Sequence, residues 1–144
     1  MTKVSKYWNK AKKYLSKKDK TMAKLIKNYQ SPSETILTSR RDIFFSLCKS
    51  IIGQQISVAA ANSVFSKFKK KCNNKVNAKN VSKMSFSNLK KCGLSRQKAL
   101  GIKSLAKQML NKSFNPRLIS KMSDEEAINY LSKLRQIGRW SAEM

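Results

Sequence analysis

Leu134-Arg135-Gln136-Ile137-Gly138-Arg139-Trp140-Ser141-Ala142 is the stretch on which the reading of this chain turns. A helical pattern leads into it, Ile137-Gly138 makes a tight turn, and a new helix opens behind the turn. The first N–H groups of a helix have no partner within it, so a turn of this kind offers them to an anion such as phosphate. Gly138 lets a ligand approach the backbone with no Cβ in the way. Ile137 is expected to fill the space between the two helices. An ordinary αα-hairpin has the same turn, so the stretch alone fixes a local architecture and leaves the ligand open.

Working outward, Ser123 and Glu126 form an S-x-x-E capping box for the helix carrying Ala127, Ile128, Leu131 and Leu134. Pro116 opens a turn before it. Ser95 is placed to cap a longer helix on Ala99, Ile102, Leu105, Ala106, Met109 and Leu110, and Gly93 to close a short helix over Ser87 to Lys91 from the C′ position. Further upstream Asp42 is a plausible N-cap for Phe44, Leu47, Cys48, Ile51 and Ile52, the best core stripe in the chain. Gly53 and the pair Gln54-Gln55 end that helix. The next carries Val58, Ala61, Val64, Phe65 and Phe68, and Lys67 to Lys75 reads as a solvated loop. Two amphipathic helices, over residues 4–16 and Thr21 to Tyr29, precede a loop from Gln30 to Arg41 that contains Pro32. No β alternation competes, and only 4 Gly and 2 Pro interrupt 144 residues, so the expected fold class is all-α, one domain over 1–144 with the hairpin at about 124–144.

The formal net charge is +25, from 32 Lys and Arg against 7 acids. Solubility does not require that much, and a polyanionic partner, nucleic acid first, accounts for it. Most of the cations are Lys and many Asn accompany them, so base composition of the gene is a competing cause. The 3 cysteines, Cys48, Cys72 and Cys92, are widely spaced and there is no His, which excludes the usual zinc and iron–sulfur patterns. Cys48 and Cys92 lie in apolar stretches and read as reduced core residues. No apolar run approaches membrane-spanning length and no secretory signal is visible. The expectation is a soluble, cytoplasmic protein with no membrane partner.

Three segments together resemble a family. The tail Leu134-x-x-Ile137-Gly138-Arg139-Trp140-Ser141-Ala142-Glu143-Met144 looks like the helix-hairpin-helix of DNA glycosylases, most of all the bacterial 3-methyladenine DNA glycosylase II group. Ser50-Ile51-Ile52-Gly53-Gln54-Gln55-Ile56-Ser57-Val58-Ala59-Ala60 is similar to that group's helix junction, and Lys91-Cys92-Gly93-Leu94-Ser95-Arg96-Gln97-Lys98-Ala99 to its next stretch. They stand in family order with family-like spacing, and the resemblance covers roughly residues 5 to 144. The resemblance implies a multi-helix glycosylase-type domain, incomplete at the C-terminus, that acts in base-excision DNA repair. Such an enzyme flips a damaged base, for example 3-methyladenine, out of double-stranded DNA and hydrolyses its N-glycosidic bond.

Carried onto this chain, the resemblance makes Gln54 and Gln55 the DNA wedge, with Gln55 the better match. It makes Gln136, Ile137, Gly138 and Arg139 the phosphate-binding hairpin, and Trp140 and Met144 the faces of a base pocket. A cationic alkylated purine would be drawn to the Trp140 face. The family's catalytic Asp is expected beyond Met144, so no catalytic residue falls in this chain and the chain as given is expected to be inactive. No Lys occupies the hairpin position of bifunctional lyases, which implies a monofunctional enzyme. No cofactor is required; a monovalent cation at the hairpin carbonyls is possible in this family, a monomer is expected, and no metal site is. Gln136 stands where many family hairpins have Gly. Two other readings stay open: a non-enzymatic helix-hairpin-helix DNA-binding module, and a basic ribosomal or nucleoid protein, which leaves Gly53-Gln54-Gln55 and the hairpin unexplained.

Overall fold

The structure, a computed structural model, describes residues 6–29 and 42–144, which are helices and connecting turns with no strand among them. Val4, the expected loop from Gln30 to Arg41 and Glu34 within it lie outside the described residues. By its contacts the chain divides into two compact units, Met1–Arg40 and Arg41–Met144.

In the first unit α1 (Lys6–Lys18) and α2 (Lys20–Asn28) are joined at Asp19. Its carboxylate accepts from the N–H of Thr21 at 2.7 Å and of Met22 at 2.9 Å, an N-cap that starts α2 one residue after α1 ends. Trp8, Ala11, Leu15, Met22, Leu25, Ile26 and Tyr29 line one apolar groove.

The second unit contains α3 (Ile43–Gly53), α4 (Val58–Lys71), α5 (Ala78–Lys83), α6 (Phe86–Lys91), α7 (Arg96–Leu110), a 3₁₀ turn (Pro116–Lys121), α8 (Asp124–Ser132) and α9 (Arg139–Glu143). The stripe expected of α3 is entirely buried: Phe44, Leu47, Cys48, Ile51 and Ile52. Each large apolar side chain buried in this way contributes about 1.5–3 kcal/mol. Ala99, Ile102, Leu105 and Ala106 of α7 join the same core, whereas Leu110 falls on the exposed side.

The expected caps are present. Asp42 accepts from Phe45 N–H at 2.9 Å, Ser95 from Lys98 N–H, and Ser123 and Glu126 form the full capping box. Gly93 adopts a φ of +97°, the left-handed conformation that ends α6.

Two segments differ from expectation. Lys67 to Lys75 is not a loop from its start: α4 continues to Lys71, and both Phe68 and Cys72 are buried. These two residues are four apart on the buried face, while the lysines between them project to water, so composition masked a helical face. Residues 76–84, which carried no expectation, contain α5 and its flanks, with Val76, Val81 and Met84 in the core; a helix of six residues is too short for a period to show. All three cysteines are buried free thiols. Burial raises the Cys48 and Cys92 pKa values and pushes Cys72 up to about 11, which leaves them unreactive. No helix among the described residues is long and apolar enough to cross a membrane.

Candidate nucleic-acid interface

The hairpin is α8, the turn 133–138 and α9. Leu134 and Ile137 are buried, so the turn hangs on the core by two side chains, and Ile137 fills the expected space. Ala142 N–H bonds Gly138 O at 3.0 Å, closing the first turn of α9. Gly138 has φ −91° and ψ 176° and supplies no side-chain cap. A Cβ built on it would meet nothing within 4 Å. Neither backbone conformation nor packing therefore demands glycine here; what it gives is the absence of a Cβ beside a helix start that has no side-chain cap.

The left-handed residue of the turn is Gln136, at φ +69°. Such a φ costs an L-residue about 1–2 kcal/mol, and the expected narrowing of the turn by this side chain has a visible compensation. A Cβ added to Gly101 in α7 would lie 2.8 Å from Gln136 Cγ, 3.2 Å from its Cβ and 3.3 Å from Arg135 O. The missing side chain in α7 makes the room that Gln136 occupies.

Arg139 is not a free cation. Its Nη2 and Nη1 reach the Glu125 carboxylate at 2.6 and 3.1 Å, and its Nε reaches Glu143 at 2.8 Å. The hydrogen bond from Arg139, then its charge, hold the Glu125 carboxyl below the usual range.

The second segment is the junction after α3. The structure separates the two glutamines. Gln54 is half-buried, and its Nε2 donates to Gln136 O at 2.6 Å, with Ser141 Oγ at 3.5 Å. Gln55 is exposed, at φ +54°, another left-handed residue with a side chain. Ser57 then caps α4 by accepting from Ala60 N–H. Lys98, a functional residue that the sequence pattern does not single out, donates from Nζ to Ile52 O at 2.9 Å and to Gln54 O at 2.6 Å. It thus caps the carbonyl end of α3 with a cation, where the helix dipole favours one. Its pKa is lowered by burial. Its neighbour Gln97 accepts from Arg135 Nη2 at 2.6 Å. Only tertiary proximity reveals these two roles; the local pattern gave Lys98 the look of any surface lysine.

Trp140 and Met144 are 73% and 75% exposed, so Trp140 is no core anchor of the hairpin. Most of the acids near these segments have structural partners. Asp42 and Glu126 serve helix caps and Glu125 and Glu143 bind Arg139, while Asp124 lies in the first turn of α8. Among the described residues no cluster of His, Cys, Asp and Glu is arranged to hold a metal. The hairpin carbonyls Leu134 O and Gln136 O already accept, from Ile137 N–H and Gln54 Nε2. A monovalent cation there would have to share oxygens that are partnered.

Residues 48–142 match the model of the HhH-GPD superfamily of base excision DNA repair proteins. The chain is 31% identical to the alkylbase DNA glycosidase-like protein mag2 of Schizosaccharomyces pombe, over all of this chain and 68% of that protein. It is 30% identical to DNA-3-methyladenine glycosylase 1 of the same yeast, over 87% of this chain and 55% of the relative. Among solved structures it is similar to the S. pombe 3-methyladenine DNA glycosylase Mag1 in complex with abasic DNA, with a TM-score of 0.80 and 26% identity, covering 92% of this chain and 66% of that one. It is also similar to a 3-methyladenine DNA glycosylase from Archaeoglobus fulgidus, with a TM-score of 0.69 and 25% identity, covering 97% of this chain and 55% of the other. The chain spans between about half and two thirds of these relatives. With a hairpin whose second helix starts without a side-chain cap, and a glutamine junction fastened to it, the chain belongs to the HhH-GPD superfamily of base excision DNA repair proteins.

Proposed function

We propose that this chain carries the DNA-docking and base-flipping part of a monofunctional glycosylase that removes alkylated bases, 3-methyladenine among them, from double-stranded DNA. One observation carries the reading. The exposed Gln55 and the exposed Trp140 belong to segments far apart in sequence, yet the Gln54 amide fastens the first segment to the turn that presents the second.

In this reading a DNA phosphate sits at the start of α9, over Gln136, Ile137, Gly138 and Arg139, and takes up N–H groups that have no side-chain cap. Gln55 enters the stack as the wedge and fills the space that the flipped nucleotide leaves. Its left-handed backbone and exposure support that role, while Gln54 is spoken for by Gln136 and Ser141. Trp140 offers an aromatic face to a base carrying positive charge, with Met144 four residues further on, its N–H bonded to Trp140 O. The net charge of +25 supplies the long-range attraction to the duplex. Glycosidic hydrolysis passes through an oxocarbenium-like state that a carboxylate stabilises. The protein is proposed to act as a monomer in the cytoplasm.

The test is release of methylated bases from alkylated duplex DNA by the full-length gene product, beside salt-dependent duplex binding by the 144-residue chain. Release of 3-methyladenine supports the reading. Salt-sensitive binding with no release of any base would replace it with a non-enzymatic DNA-binding module.

A further inference from the structure

The first turns of α7 touch both DNA-facing segments, and they do so with residues that the docking reading leaves unused. Lys98 Nζ holds Ile52 O at 2.9 Å and Gln54 O at 2.6 Å, on the junction side. Gln97 Oε1 holds Arg135 Nη2 at 2.6 Å, on the hairpin side. Gly101, one turn further on, leaves the space that Gln136 fills. Gln54 closes the circuit from its own side chain to Gln136 O at 2.6 Å. We propose that Lys98 and Gln54 are positioning residues that lock the Gln55 loop to the hairpin, so that wedge and phosphate grip meet the duplex in one fixed register.

The physical case lies in what these bonds restrain. With the carbonyls of residues 52 and 54 both held by one ammonium, the chain has a fixed exit from α3, and Gln55 is turned outward at φ +54°. A loop with left-handed backbone and no such anchor would sample other conformations. Burial lowers the Lys98 pKa, the effect of partly withdrawing its ammonium from water, while the two carbonyls it holds fix its position. The hairpin sets where the phosphate lies, and the wedge must enter the stack at a set distance from that phosphate. A misplacement of about 1 Å between groups that act together can cost on the order of 100-fold. The inference rests on Gln55 being the wedge.

The experiment compares affinities of the 144-residue chain for an intact duplex and for one carrying a tetrahydrofuran abasic site. The unsubstituted chain is expected to prefer the abasic duplex, and Gln55→Ala to lose that preference; if either expectation fails, the wedge reading falls and this inference with it, whatever Lys98 does. Lys98→Met keeps the length and apolar stem and removes the donor. Its affinity for intact duplex is expected to stay within about twofold, because phosphate contacts remain. Its abasic preference is expected to fall by about fivefold or more, toward that of Gln55→Ala. Lys98→Arg, which restores a donor, should recover part of the preference.

An unchanged preference in Lys98→Met overturns the positioning role, and so does an equal loss of affinity for both duplexes, which is what plain destabilisation gives. Should Lys98→Met fail to fold, Gln54→Leu decides by the same ratio. A loss of preference there supports the lock between loop and hairpin, and an unchanged ratio overturns it.

Discussion

Helices α3 and α9 use the same kind of side chain for opposite ends. In α3, Phe44, Leu47, Cys48, Ile51 and Ile52 are all withdrawn from water. In α9 no residue is buried, and Trp140 is 73% exposed. Removing apolar surface from water is favourable wherever it happens. In α3 that gain is realised on folding. In α9 it is not realised within the unit, and the start of the helix has no side-chain cap. A lone exposed apolar residue says little about function; under the proposed docking, Trp140 would meet the base while the start of α9 meets a phosphate.

The comparison breaks most readily at Ile51. Ile51→Ala empties part of a fully buried site and is expected to lower the free energy of unfolding by about 2–5 kcal/mol. Trp140→Ala, though it deletes a larger side chain, should change stability by less than about 0.5 kcal/mol and weaken binding to damaged duplex instead. Urea denaturation and a DNA titration on both variants check the pair. If Trp140→Ala destabilises as much as Ile51→Ala, the contrast between the helices is wrong.

A sharper version concerns the seam between core and hairpin. Gly101→Ala should cost about 1–3 kcal/mol, since its Cβ meets Gln136 Cγ at 2.8 Å and overpacking of this kind is seldom relieved freely. Gln136→Gly removes the side chain and the left-handed strain together. In the double variant most of the cost should vanish, helped by alanine's advantage over glycine inside a helix, about 1 kcal/mol. A thermodynamic cycle reads this as a coupling above about 1 kcal/mol. Simple additivity would mean that Gly101 is not what accommodates Gln136.

The two helices also show what a sequence displays and what it hides. The α3 stripe falls at i, i+3, i+4, i+7 and i+8 from Phe44, a pattern only a helix buries on one side. Asp42, Ser95 and Ser123 announce their caps through local chemistry, and Gly93 its left-handed turn. The hairpin, the junction and their family likeness were legible for the same reason: each is a short run of neighbours. Contacts between distant residues were not. Lys98 on the carbonyls of α3, Gln54 on Gln136 and Gly101 under Gln136 each join positions more than 30 residues apart. Sequence therefore paired Gln54 with Gln55, and only the structure gives one to the hairpin and the other to solvent.

Arg139 is the last such case, and it yields the smallest of the expected effects. Sequence made it a phosphate contact; in the structure two carboxylates hold it, Glu125 through two N–H groups and Glu143 through the third nitrogen. In the proposed docking, Glu125 and a DNA phosphate would compete for one guanidinium. Glu125→Gln removes one of the competing charges, so duplex binding should tighten by about two- to fivefold at low salt, with a log–log salt slope steeper by at most about 0.9, the value of one added phosphate contact.

The pH dependence has a defined sign. Arg139 holds the Glu125 pKa below its ordinary value, so the ion pair is complete above that ordinary value and is lost as pH falls through the lowered one. Acidification should therefore remove the Glu125 half of the pairing, leaving Arg139 on Glu143 alone, and tighten binding, and Glu125→Gln should lack that part of the response. Both groups are exposed, so protein stability should barely register the change. Weaker binding in Glu125→Gln would mean the opposite arrangement: Glu125 would be aiming Arg139 at the phosphate, and the carboxylate would belong to the DNA grip.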